Sequence, residues 1–178
     1  RGMNYGLWQL WQQGDFDRYE FFFLLTNDTE FAAVPVIEPL LGILGHHPRV
    51  GILSPCSKSW GERFLLTHQS TKYFWFIHNT AYLLRRSFIE SVMERDKPDY
   101  MNFLYDGENF RGYGTEHEII AKAYANDWAA AITADVWAEE NESHLLHKAD
   151  LIKTEGVEEN WRLYIEEGRA WMRRKYGF

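Results

Sequence analysis

Short apolar runs alternate with segments of helical periodicity along this chain. The run Phe21–Leu25 is apolar throughout, has the length of a strand and is followed by the turn-forming residues 26–29. A run of this kind is typical of a strand that is buried on both faces of a sheet. Two further strands are predicted over residues 50–53 and 73–77, and β-forming side chains favour another over residues 129–137.

Helical patterns separate these strands. Residues 3–13 carry apolar side chains at helical spacing, and a second stripe consists of Ile37, Leu40, Leu41 and Leu44. Residues 87–90 and 115–118 each have the spacing of a capping box, in which a Ser or Thr and a Glu three residues later cap the start of a helix. We therefore predict two more helices that begin at Ser87 and Thr115, the second with Tyr124 on its inward face.

The last segment, residues 157–176, has the pattern of an amphipathic helix. Its apolar stripe consists of Trp161, Tyr164, Ile165, Trp171 and Met172. Glutamates lie at the start of this segment and Arg and Lys residues at its end, an arrangement that complements the helix dipole. The basic cluster is therefore interpreted as helix chemistry rather than as a binding patch.

This alternation of helices and strands predicts an α/β fold in which helices flank a mixed sheet. Residues 1–178 have the length of one domain, and we find no repeat or low-complexity linker in them, so we predict a single domain. In α/β sheets, ligands bind beyond the carboxyl ends of the strands. Candidate functional residues are therefore expected in loops that follow strands and open helices.

Composition and charge narrow the class of protein. Hydrophobic residues make up 46% of the chain and charged residues 25%, which is ordinary for a folded protein. The net charge of −7 argues against a nucleic-acid partner, which would require a basic surface. No apolar run approaches the roughly 20 residues of a membrane span. Cys56 is the only cysteine, which excludes a disulfide within the chain and favours a reducing compartment.

Two carboxylates follow the first predicted strand. Asp28 and Glu30 come directly after Phe21–Leu25 and its turn. Their oxygens are hard ligands that suit Mg²⁺ or Mn²⁺ holding a diphosphate. The alternative is that Asn27 and Asp28 form a turn in which a side chain bonds to its own backbone.

A second candidate group stands at the start of a predicted helix. Glu116 and His117 follow the segment 112–114, whose glycines allow a tight turn and leave room for a substrate. Either side chain is a candidate general base, and the alternative is a capped helix with ordinary first-turn acids. His144 and His147 have the spacing of a pair on one helix face, which by itself is a weak metal signal.

The order of these segments resembles the second half of a family 2 glycosyltransferase with the GT-A fold. Residues 22–30 resemble the strand that runs into Asn-Pro-Asp-Thr-Glu or Asp-x-Asp in that family, although Thr26 stands where Asp or Asn is usual. Residues 48–55 resemble the strand after the following helix, and residues 81–90 resemble the stretch behind the acceptor-side loop. In that loop, residues 78–80 stand where the family usually has a glycine.

Residues 110–118 carry the most specific part of this resemblance. They are similar to the Gly-Trp-Gly-Gly-Glu-Asp segment of galactosyltransferase-like and chondroitin-polymerase-like members. In those enzymes the Asp after the Glu is the general base, and His117 occupies that position here. His144 is similar in placement to a late metal-binding His of some members. Residues 173–177 resemble a Lys-Trp-Gly ending of bacterial members.

The resemblance implies an inverting, metal-dependent transferase that moves a sugar from a nucleotide-sugar donor to a saccharide acceptor. It also implies Mn²⁺ or Mg²⁺ as cofactor and a cytoplasmic location, which includes the inner face of the membrane. The site residues that it implies have three roles. They are Asp28, Glu30 and His144 for the metal; Glu116 and His117 for catalysis; and Asn79, Gly112, Tyr113 and Gly114 for substrate binding.

The sequence also departs from this family. The family begins with βαβ units that bind the nucleotide base, and their absence here leads us to expect a chain that is incomplete at its N-terminus. Two other functions stay open. One is a non-catalytic relative that binds a glycan or a partner protein, which Thr26 and His117 would indicate. The other is a metal-dependent hydrolase that uses Asp28, Glu116 and His144.

Overall fold

The protein is a mixed α/β fold in which helices flank a mixed sheet, as the sequence predicts. The computed structural model describes residues 1–32, 35–59, 63–64, 66, 68–75, 77, 80–94, 96–109, 111–141 and 156–177. The helices are α1 (Gly2–Gln12), α2 (Ile37–His46), α3 (Arg86–Val92), α4 (Thr115–Ala125), α5 (Val157–Leu163) and α6 (Ala170–Tyr176). The strands are β1 (Phe21–Leu25), β2 (Thr29–Phe31), β3 (Val50–Cys56), β4 (Thr71–Tyr73), β5 (Ala81–Arg85) and β6 (Ala129–Glu140).

The direction of the strands determines where functional groups can gather. The sheet has the order β1-β5-β3-β6-β2, with β4 also paired to β6. β3 and β6 are parallel, whereas β1 and β3 each run antiparallel to β5. β1, β3 and β6 therefore point the same way, and their carboxyl ends lie at one edge of the sheet, which we call the carboxyl edge.

The central strand is longer than the sequence predicts, and the first strand is less buried. All seven residues of β3 are buried, and the strand continues through Pro55 to a register irregularity beside Cys56. Among the described residues, β1 pairs with β5 alone. Both faces of β1 pack on apolar clusters, as predicted, with Phe22 and Leu24 against one cluster and Phe21 and Phe23 against another, but Phe22 is the one residue of the strand that is fully buried.

Two strands differ from the sequence analysis. The strand predicted over residues 73–77 ends at Tyr73, because β4 pairs with β6 only from Thr71 to Tyr73. β5 was not predicted by the pattern, although it pairs with both β1 and β3. On β5, Tyr82 and Leu84 face the larger apolar cluster, which includes side chains of α1, α3 and α4. Leu83 faces a smaller cluster with α2.

The two predicted capping boxes do not form. α3 begins at Arg86, so Ser87 lies inside the helix, and Glu90 forms an ion pair with Arg86 at 2.8 Å instead of capping. α4 begins after Gly114, whose φ of 83° is left-handed, and Thr115 is already a helical residue. Tyr124, predicted to face inward on α4, is exposed.

The glutamate of the second predicted capping box is a buried structural residue. Both carboxylate oxygens of Glu118 accept hydrogen bonds from the backbone N–H of Asp106, at 3.0 and 3.1 Å. Its Oε1 also accepts from the Tyr176 hydroxyl at 2.8 Å and forms an ion pair with Lys122 Nζ at 2.7 Å. Tyr176 ends α6, so Glu118 joins α6 to α4 and to the loop before α4.

The C-terminal helical segment has the predicted span but not the predicted face. A π-helical stretch, Tyr164–Arg169, separates α5 from α6. Trp161 and Ile165 are exposed, whereas Trp171 is buried. The wider π turn changes the angular position of the residues that follow it, so one apolar stripe does not continue along the whole segment. None of the helices in the described ranges is long and apolar enough to cross a membrane.

We expect Glu118→Gln to lower the free energy of unfolding by about 2–4 kcal/mol, because it removes a buried charge that several donors share. The measurement is chemical denaturation followed by circular dichroism. Glu38→Gln is the matched control, since Glu38 is an exposed helical glutamate. Equal stability of the two variants would show that the Glu118 contacts do not hold α6 in place.

Candidate functional site

Asp28 lies at the carboxyl edge, in the turn between β1 and β2. Its Oδ1 atom is buried and has no hydrogen-bond partner among the described residues. The backbone is held, because the Asp28 carbonyl accepts a hydrogen bond from Asn141 N–H at 2.8 Å. A buried carboxylate oxygen without a donor is costly, and a bound cation would satisfy it. Asp28 therefore fits the role of a metal ligand.

Threonines, rather than the Asp28 side chain, close this turn. The Thr29 hydroxyl donates to the Thr80 carbonyl at 2.9 Å, and the Thr26 and Thr29 hydroxyl oxygens lie 3.1 Å apart. The Thr26 N–H also donates to the Thr80 carbonyl, at 3.0 Å. Thr26, which departs from the family pattern, thus fastens the end of β1 to the start of β5.

Among the described residues, Asp28 does not belong to a larger cluster of metal ligands. Glu30 is exposed, and its carboxylate accepts a hydrogen bond from the Asn141 side chain at 2.7 Å. His144 and Asn79 lie outside the described residues. Within the described ranges, no group of three His, Cys, Asp or Glu side chains is arranged to hold a metal ion. Mg²⁺ commonly needs only one or two carboxylates when phosphates and water supply its other ligands.

The end of β6 adds two glutamates to the carboxyl edge. Glu139 accepts hydrogen bonds from the Ser57 hydroxyl at 2.8 Å, the Lys58 N–H at 2.5 Å and the Ser59 N–H at 3.4 Å. Burial acts to raise the pKa of Glu139, but these hydrogen bonds outweigh it and leave that pKa below its ordinary value. Glu139 thereby anchors the loop after β3. Glu140 accepts a hydrogen bond from the Thr80 hydroxyl at 3.1 Å.

Tyr82 connects this edge to the start of α4. Tyr82 is fully buried on β5, two residues after Thr80. Burial raises the pKa of its phenol well above the ordinary value, and the charges of Tyr105, Glu116 and Glu140 raise it further. Glu140 at the carboxyl edge and Glu116 on α4 therefore both lie close enough to act on one phenol. Tyr82 thereby links Glu116, a predicted functional residue, to the carboxyl edge.

Glu116 and His117 form a close pair in the first turn of α4. Glu116 Oε1 lies 3.0 Å from His117 Nδ1, and the two side chains are 13% and 22% exposed. Burial raises the pKa of the Tyr105 and Tyr164 phenols, and the Glu116 carboxylate raises both pKa values further. Both rings therefore lie near this carboxylate. A carboxylate beside an imidazole is the arrangement of a general base and the group that orients it.

The predicted glycine segment adopts the conformations that require glycine. Gly112 and Gly114 have φ angles of 78° and 83°, a region that other residues rarely adopt. A Cβ atom on Gly114 would lie 3.1 Å from the sulfur of Met172 in α6. Gly114 therefore serves both the start of α4 and the close approach of α6.

Tyr113 connects the same segment to the C-terminal helices. Its hydroxyl donates to Asn160 Oδ1 at 2.9 Å, and its ring packs edge-on against Tyr164, with 6.4 Å between centroids. A Cβ on Gly168 would lie 2.8 Å from the Tyr113 Cβ, which shows how closely the helix approaches. The C-terminal helices thus lie against the loop that leads to Glu116.

Sequence reasoning missed three residues of this site. Glu139 and Glu140 follow the predicted strand 129–137, so the rule that singled out Asp28 could also have found them. Tyr82 had no comparable signal, because the strand that carries it was not predicted. Its role depends on side chains brought from β6 and α4 by the tertiary fold.

Comparison of the chain with protein-family models, with curated proteins and with solved structures found no match.

We expect the contribution of Glu139 to stability to depend on pH. Its folded-state pKa is below the unfolded value of about 4.3, so the contribution is present above that pH and is lost as the pH falls through the folded-state pKa. The measurement is chemical denaturation at pH 7, 5 and 3. Glu139→Gln should have a lower free energy of unfolding than the natural chain at pH 7, and this difference should become smaller at pH 3. A difference of the same size at all three pH values would contradict the assignment.

Proposed function

We propose that this chain is a GT-A-type glycosyltransferase, or the acceptor half of one, that transfers a sugar with inversion from a nucleotide sugar to a saccharide. The observation that carries the proposal is the buried, unpartnered Oδ1 of Asp28 at the carboxyl edge. The Glu116–His117 pair, which shares the region of Tyr82, supplies a second group with a suitable chemistry. The order of motifs resembling family 2 supports the same function.

In this proposal, Asp28 holds Mn²⁺ or Mg²⁺ together with the diphosphate of the donor. A cation in this place would supply electrostatic stabilisation of the leaving diphosphate. The threonines around Asp28 contribute by fastening the turn, so that the carboxylate is preorganised at the strand end. The lone carboxylate is consistent with a metal whose other ligands come from phosphate and water.

The Glu116–His117 pair acts on the acceptor. His117 takes the proton of the acceptor hydroxyl while that oxygen forms a bond to the anomeric carbon. The bond between the anomeric carbon and the diphosphate oxygen breaks with its electron pair remaining on the diphosphate. Glu116, 3.0 Å from Nδ1, stabilises the resulting imidazolium. A single displacement of this kind inverts the configuration at the sugar carbon.

Asp28→Asn should abolish metal-dependent transfer, with a loss of roughly 100-fold or more, because metal stabilisation of a leaving group contributes several kcal/mol. The assay follows nucleoside diphosphate release from a panel of nucleotide sugars, with saccharide acceptors, with Mn²⁺ and with a chelator. Asp17→Asn is the control, since Asp17 is a largely exposed aspartate away from the site. If the chain binds sugar and neither the chelator nor Asp28→Asn changes that binding, the result supports the non-catalytic alternative. If the donor is cleaved with water as the only acceptor, the result supports the hydrolase.

His117→Gln should lower the transfer rate by roughly 10²–10⁴-fold and remove the rise of rate with pH that a neutral imidazole base produces. Glu116→Gln should lower the rate by a smaller factor, because the imidazolium formed in the transfer step loses its neighbouring carboxylate. The measurement is the pH profile of kcat for each variant. If His117→Gln keeps the pH profile of the natural chain and Glu116→Gln loses activity, the base is Glu116.

A further inference from the structure

Four exposed residues follow one another at four-residue intervals along the C-terminal helices. They are Trp161, Ile165, Arg169 and Arg173, which we call the tail stripe. Trp161 is 60% exposed and Ile165 is 47% exposed, which is unusual for large apolar side chains on a helix that packs against the fold. The opposite side of the same segment is buried through Leu163, Trp171 and Met172.

The π-helical stretch explains why these four residues keep one line. In a regular α-helix, residues four apart drift by about 40° around the axis at each step. The π turn over Tyr164–Arg169 is wider than an α turn and offsets this drift. Two apolar residues and two arginines therefore share one outward face, although the sequence pattern placed Trp161 and Ile165 on the inward one.

The basic part of the tail stripe carries charge that no described acidic side chain pairs with. Among the described residues, no ion pair forms with Arg169, Arg173 or the neighbouring Arg174. Lys175 also lies in this last turn, but it pairs with Asp106 at 3.0 Å. The region is therefore positively charged on a chain whose net charge is −7.

The acidic residues of the same helices are largely committed to other partners. Glu159 and Glu166 both pair with Arg162. Glu167 pairs with Arg111 at 3.0 Å. Glu158, exposed in the first turn of α5 near the apolar end of the stripe, forms no ion pair within the described part of the chain. The positive charge is consequently concentrated at the α6 end.

We propose that the tail stripe docks the protein on an anionic membrane surface. Trp and Ile insert at the boundary between headgroups and acyl chains, and arginines bind lipid phosphates with paired N–H donors. Arginines at the end of a helix also complement its dipole, but that effect does not account for exposed Trp161 and Ile165 on the same line. The proposal does not depend on the proposed transferase function.

Docking of this kind would orient the candidate site. The C-terminal helices lie against the glycine segment through Gly168 and Tyr113, and Tyr164 lies near Glu116. A membrane that holds the outer side of these helices would therefore hold the start of α4 close to its surface. Any acceptor anchored in that membrane would gain effective concentration at the site.

Vesicle flotation with the full chain tests the proposal. The protein should float with vesicles of 70% phosphatidylcholine and 30% phosphatidylglycerol and remain unbound with pure phosphatidylcholine. Arg169→Gln/Arg173→Gln/Arg174→Gln should weaken binding by roughly 100-fold, at about fivefold for each arginine near the surface. Trp161→Ser/Ile165→Ser should also abolish flotation while the circular dichroism spectrum is unchanged.

The matched control is Arg18→Gln/Arg49→Gln/Lys97→Gln, which removes three exposed positive charges elsewhere. This variant should float like the natural chain. The proposal is overturned if the natural chain does not bind anionic vesicles, if the control loses binding equally, or if Trp161→Ser/Ile165→Ser binds normally. Binding to soluble heparin without binding to vesicles would also overturn it and indicate a soluble polyanion as partner.

Discussion

The buried carboxylate of Glu118 is the contact on which the geometry of the candidate site depends. Its charge is taken out of water and is stabilised by the Asp106 N–H, the Tyr176 hydroxyl and the Lys122 ammonium group. These donors come from a loop, from the end of α6 and from α4 itself. One side chain therefore holds the C-terminal helices against the region that presents Glu116 two residues earlier. Removal of this charge would weaken the contacts that join α6, α4 and the loop before α4, which is why the contact is expected to be strong.

The second constraint is the common direction of β1, β3 and β6. Because their carboxyl ends lie at one edge, the residues that follow them meet there although they are far apart in sequence. Asp28, Ser57 and Glu140 come from three different strands. Tyr82, which lies near both Glu140 and Glu116, then links this edge to the start of α4. This arrangement supports the transferase proposal better than the unpartnered carboxylate or the carboxylate–imidazole pair does alone.

Some elements of the fold and some residues of the candidate site can be predicted from the local sequence pattern, whereas others depend on tertiary structure. α1, α2, β3 and β6 follow from periodicity and from apolar runs, and Asp28 follows from its place after a strand. β5 is short and buried by neighbours from both sides, so its pattern alone does not separate it from a loop. Glu118 has the spacing of a cap, but Gly114 already occupies the N-cap position of α4, and the carboxylate makes tertiary contacts instead. The π turn, which decides the exposed face of the tail, has no signal in the apolar pattern.

The central claim is that a metal held by Asp28 and the Glu116–His117 pair belong to one site. Paramagnetic broadening of histidine resonances by Mn²⁺, added alone and with uridine or guanosine diphosphate, tests this claim most directly. We expect strong broadening of the His117 ring and much weaker broadening of His46 and His47, which precede β3 at the opposite edge of the sheet. We also expect Asp28→Asn to remove the effect on His117. Equal broadening of all three rings, or broadening of His117 that survives Asp28→Asn, would contradict the account.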